Sequence, residues 1–180
     1  MTSNVTAGSD TTAILMRTIF YSLLSHPDTL QRLLVELASL SPVKQPVTWK
    51  EARSLPYLDA VIKEAGRLHP PFGLPLERVV PSGGATICGQ RFEGGTVVGM
   101  SAWVVHRDKD VFGKDAAEWR PERWLECNAE QRKRMEAGLL TVRFLIFPDS
   151  TYRLEIMADF YSFLVRSRSP CLSRKEYIVP

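Results

Sequence analysis

Two pairs of residues in this sequence have the types and spacing needed for proton transfer or for a directed ion pair. Asp10 and Thr11 place an acid beside a hydroxyl in an apolar stretch, and a positioned pair of this kind can pass protons. Glu64 and Arg67 stand three positions apart, so both lie on one face of a helix, where the arginine fork can hold the carboxylate and further acceptors. Each pair also has a plain alternative. The first can bond back to its own helix turn or face solvent, and the second can be a solvated surface pair.

Three helices are predicted to position these residues. Apolar residues recur at helical spacing over residues 5–24, which contain the acid–hydroxyl pair. A second helix begins near Pro27, because proline suits a first turn, and it carries leucines along one face. Thr48 and Glu51 have the spacing of a capping box. Pro56 starts the third helix, which contains the Glu–Arg pair and ends before two consecutive prolines.

Short strands are predicted in the middle of the chain, where glycine and proline clusters separate β-suited runs. The runs cover residues 77–80, 85–88, 91–93 and 96–100. A short helix is expected over residues 101–106, then an irregular charged stretch that begins at Arg107 and Asp108, and a short exposed helix within residues 127–138. The sequence therefore predicts a mainly α protein with a small, mainly antiparallel β-sheet, in the α+β class.

Composition excludes several classes of protein. The chain has 180 residues and a net charge of +3, which is too mild to indicate a nucleic-acid partner. No apolar run is long enough to span a bilayer, so we expect no membrane anchor within this chain. Its three cysteines are odd in number and widely spaced, which predicts neither a disulfide framework nor a paired metal site.

Several motifs occur in a fixed order along the chain. They are Ala7-Gly8-Ser9-Asp10-Thr11-Thr12, Glu64-Ala65-Gly66-Arg67, Leu68-His69-Pro70, His106-Arg107-Asp108 and Trp119-Arg120-Pro121-Glu122-Arg123-Trp124. Together they resemble the haem-thiolate monooxygenases, the cytochrome P-450 superfamily. The match covers about residues 1–140, which implies a partial cytochrome P-450 fold, namely its C-terminal half, with haem as the cofactor.

The resemblance implies roles for residues near the haem. Asp10 and Thr11 correspond to the family's acid–alcohol pair, which feeds protons for O–O cleavage. The segment at Ala7 and Gly8 corresponds to the place where the helix opens beside bound dioxygen and the cofactor. Arg78 corresponds to a residue that pairs with a haem propionate, a contact that suits a guanidinium.

The resemblance also implies a supporting network and a substrate wall. Glu64, Arg67 and Arg123 correspond to a buried network that supports the haem pocket and takes no part in catalysis. Leu74 and Leu76 correspond to apolar residues that touch substrate, and their alternative role is ordinary core packing.

The pattern breaks where the family presents a cysteine to the iron. That loop needs glycines to wrap around the sulfur, and its thiolate favours O–O cleavage. After Thr141 the sequence has no glycine, and only nine residues follow Cys171, so we assign no metal ligand and consider Cys171 a poor candidate. Cys88 and Cys127 are interpreted as structural thiols. Residues 1–140 are thus one half of a family domain, and residues 141–180 are a divergent tail.

Two functions from different classes remain open at this stage. The family-level function is a haem-dependent monooxygenase that inserts one oxygen atom from dioxygen into an apolar organic substrate, with electrons from an NADPH-dependent reductase. Full-length eukaryotic relatives would be anchored in the endoplasmic-reticulum membrane, and the motifs are typical of fungal secondary metabolism. The alternative is a non-catalytic truncated fragment or misassembled gene product that cannot ligate haem.

Overall fold

The computed structural model describes residues 2–39, 51–52 and 54–140. They fall into two compact units. The first unit combines the described residues up to Pro71 with residues 117–129, and the second combines residues 72–116 with residues 130–140. Both units are therefore discontinuous in sequence, and residues 72–116 of the second separate the two segments of the first.

The described residues form helices and short strands in the following chain order. The elements are α1 (Thr2–Ser25), α2 (Pro27–Ala38), α3 (Pro56–Leu68), β1 (Leu76–Val79), β2 (Ala85–Ile87), β3 (Gln90–Phe92), β4 (Val97–Met100), α4 (Ala102–Val105), α5 (Lys109–Phe112), α6 (Arg123–Glu126) and α7 (Ala129–Gly138).

The first unit is a helical layer built on α1, α2 and α3, with α6 packed on α3. Proline occupies the first turn of both α2 and α3, where its missing N–H costs nothing. The core of this unit consists of Leu23, Leu33, Tyr57 and Val61. These residues come from all three long helices, so their burial fixes how the helices stand beside one another.

The second unit contains two antiparallel strand pairs. β1 pairs with β4, with Leu76 opposite Met100, and β2 pairs with β3 as a hairpin. Cys88 and Gly89 turn that hairpin at φ 50° and 76°, a left-handed pair that glycine adopts easily and cysteine rarely. The predicted α+β class is confirmed, and the strands form two sheets where one was expected.

Of two local predictions in the second half of the chain, the structure corrects one and agrees with the other. The charged stretch after Arg107 is not wholly irregular, since it contains α5, whose cap is the Asp108 carboxylate accepting the N–H of Asp110 at 2.8 Å. The short exposed helix expected within residues 127–138 is present as α7, which is exposed along most of its length and buries Met135 and Gly138. Gln131 and Arg134 also donate to the carbonyls of Val111 and Asp110, respectively, so both polar and apolar contacts attach α7 to its unit.

Three other sequence predictions fall outside the described part of the chain. The capping residue Thr48, the tail from residue 141 and Cys171 all lie there. Ala7 and Gly8 lie within α1, but their side chains are also outside the described set. Among the helices that are described, none combines the length and apolar character needed to cross a membrane.

Candidate functional site: a buried carboxylate held by two guanidiniums

The centre of the first unit is a buried ion pair on α3. The side chains of Glu64 and Arg67 are both 0% exposed. Arg67 Nε donates to Oε2 of Glu64 at 2.9 Å, and its Nη2 donates to Oε1 at 2.8 Å. This two-pronged contact uses the planar fork of arginine, and the helical spacing of three residues brings the groups together. The surface-pair alternative therefore does not apply.

A second guanidinium joins the same carboxylate from a distant part of the chain. Arg123 on α6 donates its Nε to Oε1 of Glu64 at 3.0 Å, across a sequence separation of 59 residues. The segment before α6 also contributes, since the backbone N–H of Arg120 reaches the same oxygen at 3.0 Å. The three residues singled out in the sequence thus meet around one carboxylate.

Two members of this cluster were missed by sequence reasoning. Trp124 donates its indole N–H to Oε2 of Glu64 at 2.9 Å. The carbonyl of Glu118 accepts from Nη2 of Arg67 at 3.1 Å and from Nη2 of Arg123 at 3.2 Å. Neither contact has a sequence signature, because one donor is uncharged and the other partner is a backbone group.

The charge balance of the cluster indicates what it does. Two guanidiniums surround one carboxylate, and all three side chains are almost fully buried. Removing one partner of such a pair costs about 3–5 kcal/mol, because an uncompensated charge remains in the interior. The contacts of the cluster tie α3 to α6.

A second set of hydrogen-bonded side chains, centred on Glu122, was also not predicted from the sequence. Oε1 of Glu122 accepts from the Tyr57 hydroxyl at 2.7 Å and from Nη1 of Arg32 at 2.7 Å. Two causes raise the pKa of Tyr57 to about 12. The larger is burial, and the second is the hydrogen bond to Glu122. This group links α2, α3 and the residue that precedes Arg123.

The acid–hydroxyl pair lies in α1, as its apolar spacing predicts. Asp10 is exposed and Thr11 is half-buried. Farther along the same helix, Thr18 Oγ1 donates to the carbonyl of Ile14 at 2.9 Å. Back-bonding to the preceding turn, which was the plain alternative for Thr11, is therefore a conformation that this helix does use.

Of the residues assigned to cofactor and substrate contact, Ala7 and Gly8 lie on α1 in the first unit, whereas Leu74, Leu76 and Arg78 lie in the second unit. Leu74 precedes β1 and is 66% exposed, while Leu76 is half-buried. Arg78 is on β1 opposite Val98, and its Nη1 donates to the carbonyl of Glu77 at 2.6 Å. The described residues thus leave Leu74 open to an apolar partner, and they hold the Arg78 guanidinium close to its own backbone.

Within residues 2–39, 51–52 and 54–140, no group of His, Cys, Asp and Glu side chains can hold a metal ion. Cys88 sits in a hairpin turn, and the Cys127 thiol donates to the carbonyl of Trp124. His106 is fully buried, and its Nε2 accepts the backbone N–H of Leu140 at 2.9 Å. Neither Cys88 nor Cys127 belongs to a cluster of candidate metal ligands among these residues.

Comparison with known proteins gives the family directly. The Cytochrome P450 family model matches residues 1–138. A cytochrome P450 monooxygenase from Aspergillus terreus is 62% identical over 142 residues, covering 77% of this chain and 29% of that protein. The monooxygenase pkfB from Emericella nidulans is 56% identical over 140 residues, covering 77% of this chain and 27% of that protein.

A further relative has the same relationship to this chain. The monooxygenase mpaDE from Penicillium roqueforti is 55% identical over 143 residues, which is 77% of this chain and 17% of that protein. The chain thus spans less than a third of the length of the curated relatives it matches. The match is nevertheless continuous across the buried Glu64 cluster, α1 and the strands, and this chain belongs to the cytochrome P450 family.

Proposed function

We propose that residues 1–140 are the scaffold part of a haem-dependent monooxygenase that inserts one oxygen atom from dioxygen into an apolar organic substrate. The observation that carries this proposal is the buried Glu64–Arg67–Arg123 cluster in a chain of this family. In this proposal the cluster holds the helices around the cofactor and does no chemistry itself. Electrons come from an NADPH-dependent reductase.

The other assigned residues receive their roles as part of the same proposal. Asp10 and Thr11 hold and move a proton, a role that is supported by their adjacent positions on α1. The segment at Ala7 and Gly8 lies against the cofactor. Arg78 binds a propionate.

The proposed substrate contacts are apolar. Leu74 and Leu76 precede and begin β1, and the 66% exposure of Leu74 leaves its side chain available to an apolar molecule. These two residues orient the substrate by contact area and carry no polar group that could take part in the reaction.

A second candidate function is favoured by one specific observation. The chain has no glycine after Gly138, and its single later cysteine, Cys171, has no glycine beside it. With residues 141–180 as they stand, we propose that the chain is non-catalytic and does not bind haem through a cysteine. The two candidates are compatible, since the first concerns residues 1–140 and the second concerns the whole sequence.

A chimera tests the first candidate. Residues 1–140 replace the matching segment of the Aspergillus terreus monooxygenase, which then supplies the cysteine loop. The chimera should bind haem and give the red-shifted Soret band of a thiolate ligand when reduced under carbon monoxide. The same chimera with Glu64→Ala should lose the band. A folded chimera without haem would contradict the scaffold role.

The unmodified chain tests the second candidate. After reconstitution with haem, it should give no thiolate-type Soret shift under carbon monoxide. Cys171→Ala is the matched variant and should behave identically. A clear shift in the unmodified chain that disappears in Cys171→Ala would overturn the proposal and would make the chain an enzyme in its own right.

A further inference from the structure

The start of helix α3 is capped by a residue from another helix. We propose that Glu36 on α2 is a positioning residue for Glu64 and Arg67, because it fixes where and in which direction α3 begins. The proposal goes beyond the monooxygenase function and does not rest on it. It concerns contacts among described residues of this chain only.

The local sequence of α3 lacks a cap. Its N-cap position is Leu55, a buried apolar residue whose side chain makes no capping hydrogen bond. Pro56 occupies the first turn and needs no acceptor. The next two backbone N–H groups, those of Tyr57 and Leu58, have no acceptor within the helix.

Glu36 supplies both missing acceptors. Its Oε1 accepts the N–H of Tyr57 at 2.8 Å, and its Oε2 accepts the N–H of Leu58 at 2.9 Å. A carboxylate at this position also complements the partial positive charge of the helix N-terminus. One side chain on α2 therefore performs the work of an N-cap residue for α3, from 21 positions earlier in the chain.

The same face of α2 carries a second contact one turn before Glu36. Arg32 donates to Glu122 at 2.7 Å, and its guanidinium lies 4.9 Å from the centre of the Tyr57 ring. Glu122 also accepts from the Tyr57 hydroxyl. Arg32 and Glu36, which we call the α2 clamp, therefore hold both the backbone and the side chain of Tyr57.

The α2 clamp acts on the buried cluster through the geometry of the helix. About two turns separate Tyr57 from Glu64, so both residues lie on the same side of α3. A shift or tilt at the first turn therefore moves the Glu64 carboxylate relative to Arg123. Glu122 precedes Arg123 in the chain, so the hydrogen bond from Tyr57 to Glu122 also positions Arg123 relative to Glu64.

The two residues of the α2 clamp should differ in how strongly they position the start of α3. The side chain of Arg32 is 57% exposed and borders a groove of about 400 Å³, so salt screens its pair with Glu122. Glu36 is half-buried and binds backbone N–H groups that have no intrahelical acceptor. Glu36 is therefore the stronger positioning residue of the two.

Hydrogen exchange in the full chain tests the proposal. Glu36→Ala should speed exchange of the Tyr57 and Leu58 amides by about fivefold or more, the factor expected for loss of an N-cap. It should also shift the resonance and speed the exchange of the Trp124 indole N–H, which reports on Glu64. Gln31→Ala, an exposed substitution on the same helix, should change none of these signals.

A conservative variant separates positioning from loss of the fold. Glu36→Gln keeps one acceptor oxygen, so one of the two amides should stay protected and the indole shift should be smaller than in Glu36→Ala. If Glu36→Ala unfolds the chain, this variant carries the test alone. Native protection of both amides in Glu36→Gln, or an unchanged Trp124 indole in a folded Glu36→Ala chain, would overturn the proposal.

Discussion

Trp124 donates its indole N–H to the same carboxylate that Arg67 and Arg123 hold, at 2.9 Å from Oε2 of Glu64. Its ring also lies under the ammonium group of Lys63, 5.7 Å from Nζ. The indole is therefore an uncharged hydrogen-bond donor to the carboxylate beside the two guanidiniums, and it also adds buried apolar area. Glu64 is held by partners of three kinds: guanidinium, indole and backbone N–H.

Removing the shared carboxylate should be the most damaging single change in the first unit. Glu64→Ala leaves two buried guanidiniums without their counter-ion and should lower the free energy of unfolding by about 3–5 kcal/mol. Denaturant unfolding followed by circular dichroism measures the loss. Asp59→Ala is the control, since it breaks an exposed pair with Lys63 on the same helix and should cost less than about 1 kcal/mol.

Removing the indole donor should have a smaller effect of the same sign. Trp124→Phe keeps a ring in place but takes away a hydrogen bond to a charged acceptor, so we expect a loss of about 1.5–3 kcal/mol. A double-mutant cycle with Glu64→Gln should show coupling, because the two side chains are in contact. Additive losses would mean that the indole contributes by packing alone.

The raised pKa of Tyr57 predicts alkaline weakening of the fold. Burial holds the pKa of Tyr57 at about 12 in the folded chain, against 10.0 in the unfolded chain. The contribution of this difference to the free energy of unfolding is therefore complete below pH 10. It is lost between about pH 10 and 12, because the phenol ionises first in the unfolded state. Unfolding free energies across that window should fall less steeply in Tyr57→Phe. Tyr21→Phe, which removes an exposed phenol from α1, is the control for the substitution itself.

Helix α1 presents an apolar row that should bind hydrophobic dyes. Met16, Phe20 and Leu24 lie four residues apart and are 47%, 58% and 74% exposed. The full chain should therefore enhance the fluorescence of an apolar probe, and Phe20→Gln with Leu24→Gln should reduce it without lowering stability. Arg17→Gln on the same helix should leave dye binding unchanged. A cooperative monomer with little dye binding would contradict this expectation.

The sequence predicted helices best where the signals are local. The start of α3 at Pro56 and its end at Leu68 follow from a proline at each boundary and from apolar residues at helical spacing between them. Helix α5 was missed although Asp108 is a local cap, because it lies in a charged stretch without apolar periodicity over two turns. Strand bounds moved by a residue because turn clusters mark where a strand stops only approximately.

The contacts that complete the site could not be predicted from the sequence. Glu36 binds two backbone N–H groups, which every residue except proline has, so nothing in the sequence marks its partners. Trp124 is recognisable as an apolar residue but not as a donor to a buried carboxylate. Helical spacing placed Glu64 and Arg67 on one face, and the family resemblance implied that Arg123 joins them. The other contacts depend on how the helices pack.

The discontinuity of the first unit sets an order for synthesis of the chain. Helices α1 to α3 leave the ribosome before the second unit, and the residues that complete the Glu64 cluster, 118–124, follow only after residues 72–116 have been made. During that interval Glu64 and Arg67 remain a solvated pair, and the apolar faces of the helices lack one of their covering segments. A nascent chain halted before Arg120 should therefore bind chaperones more strongly than one in which residues 118–124 have left the ribosome.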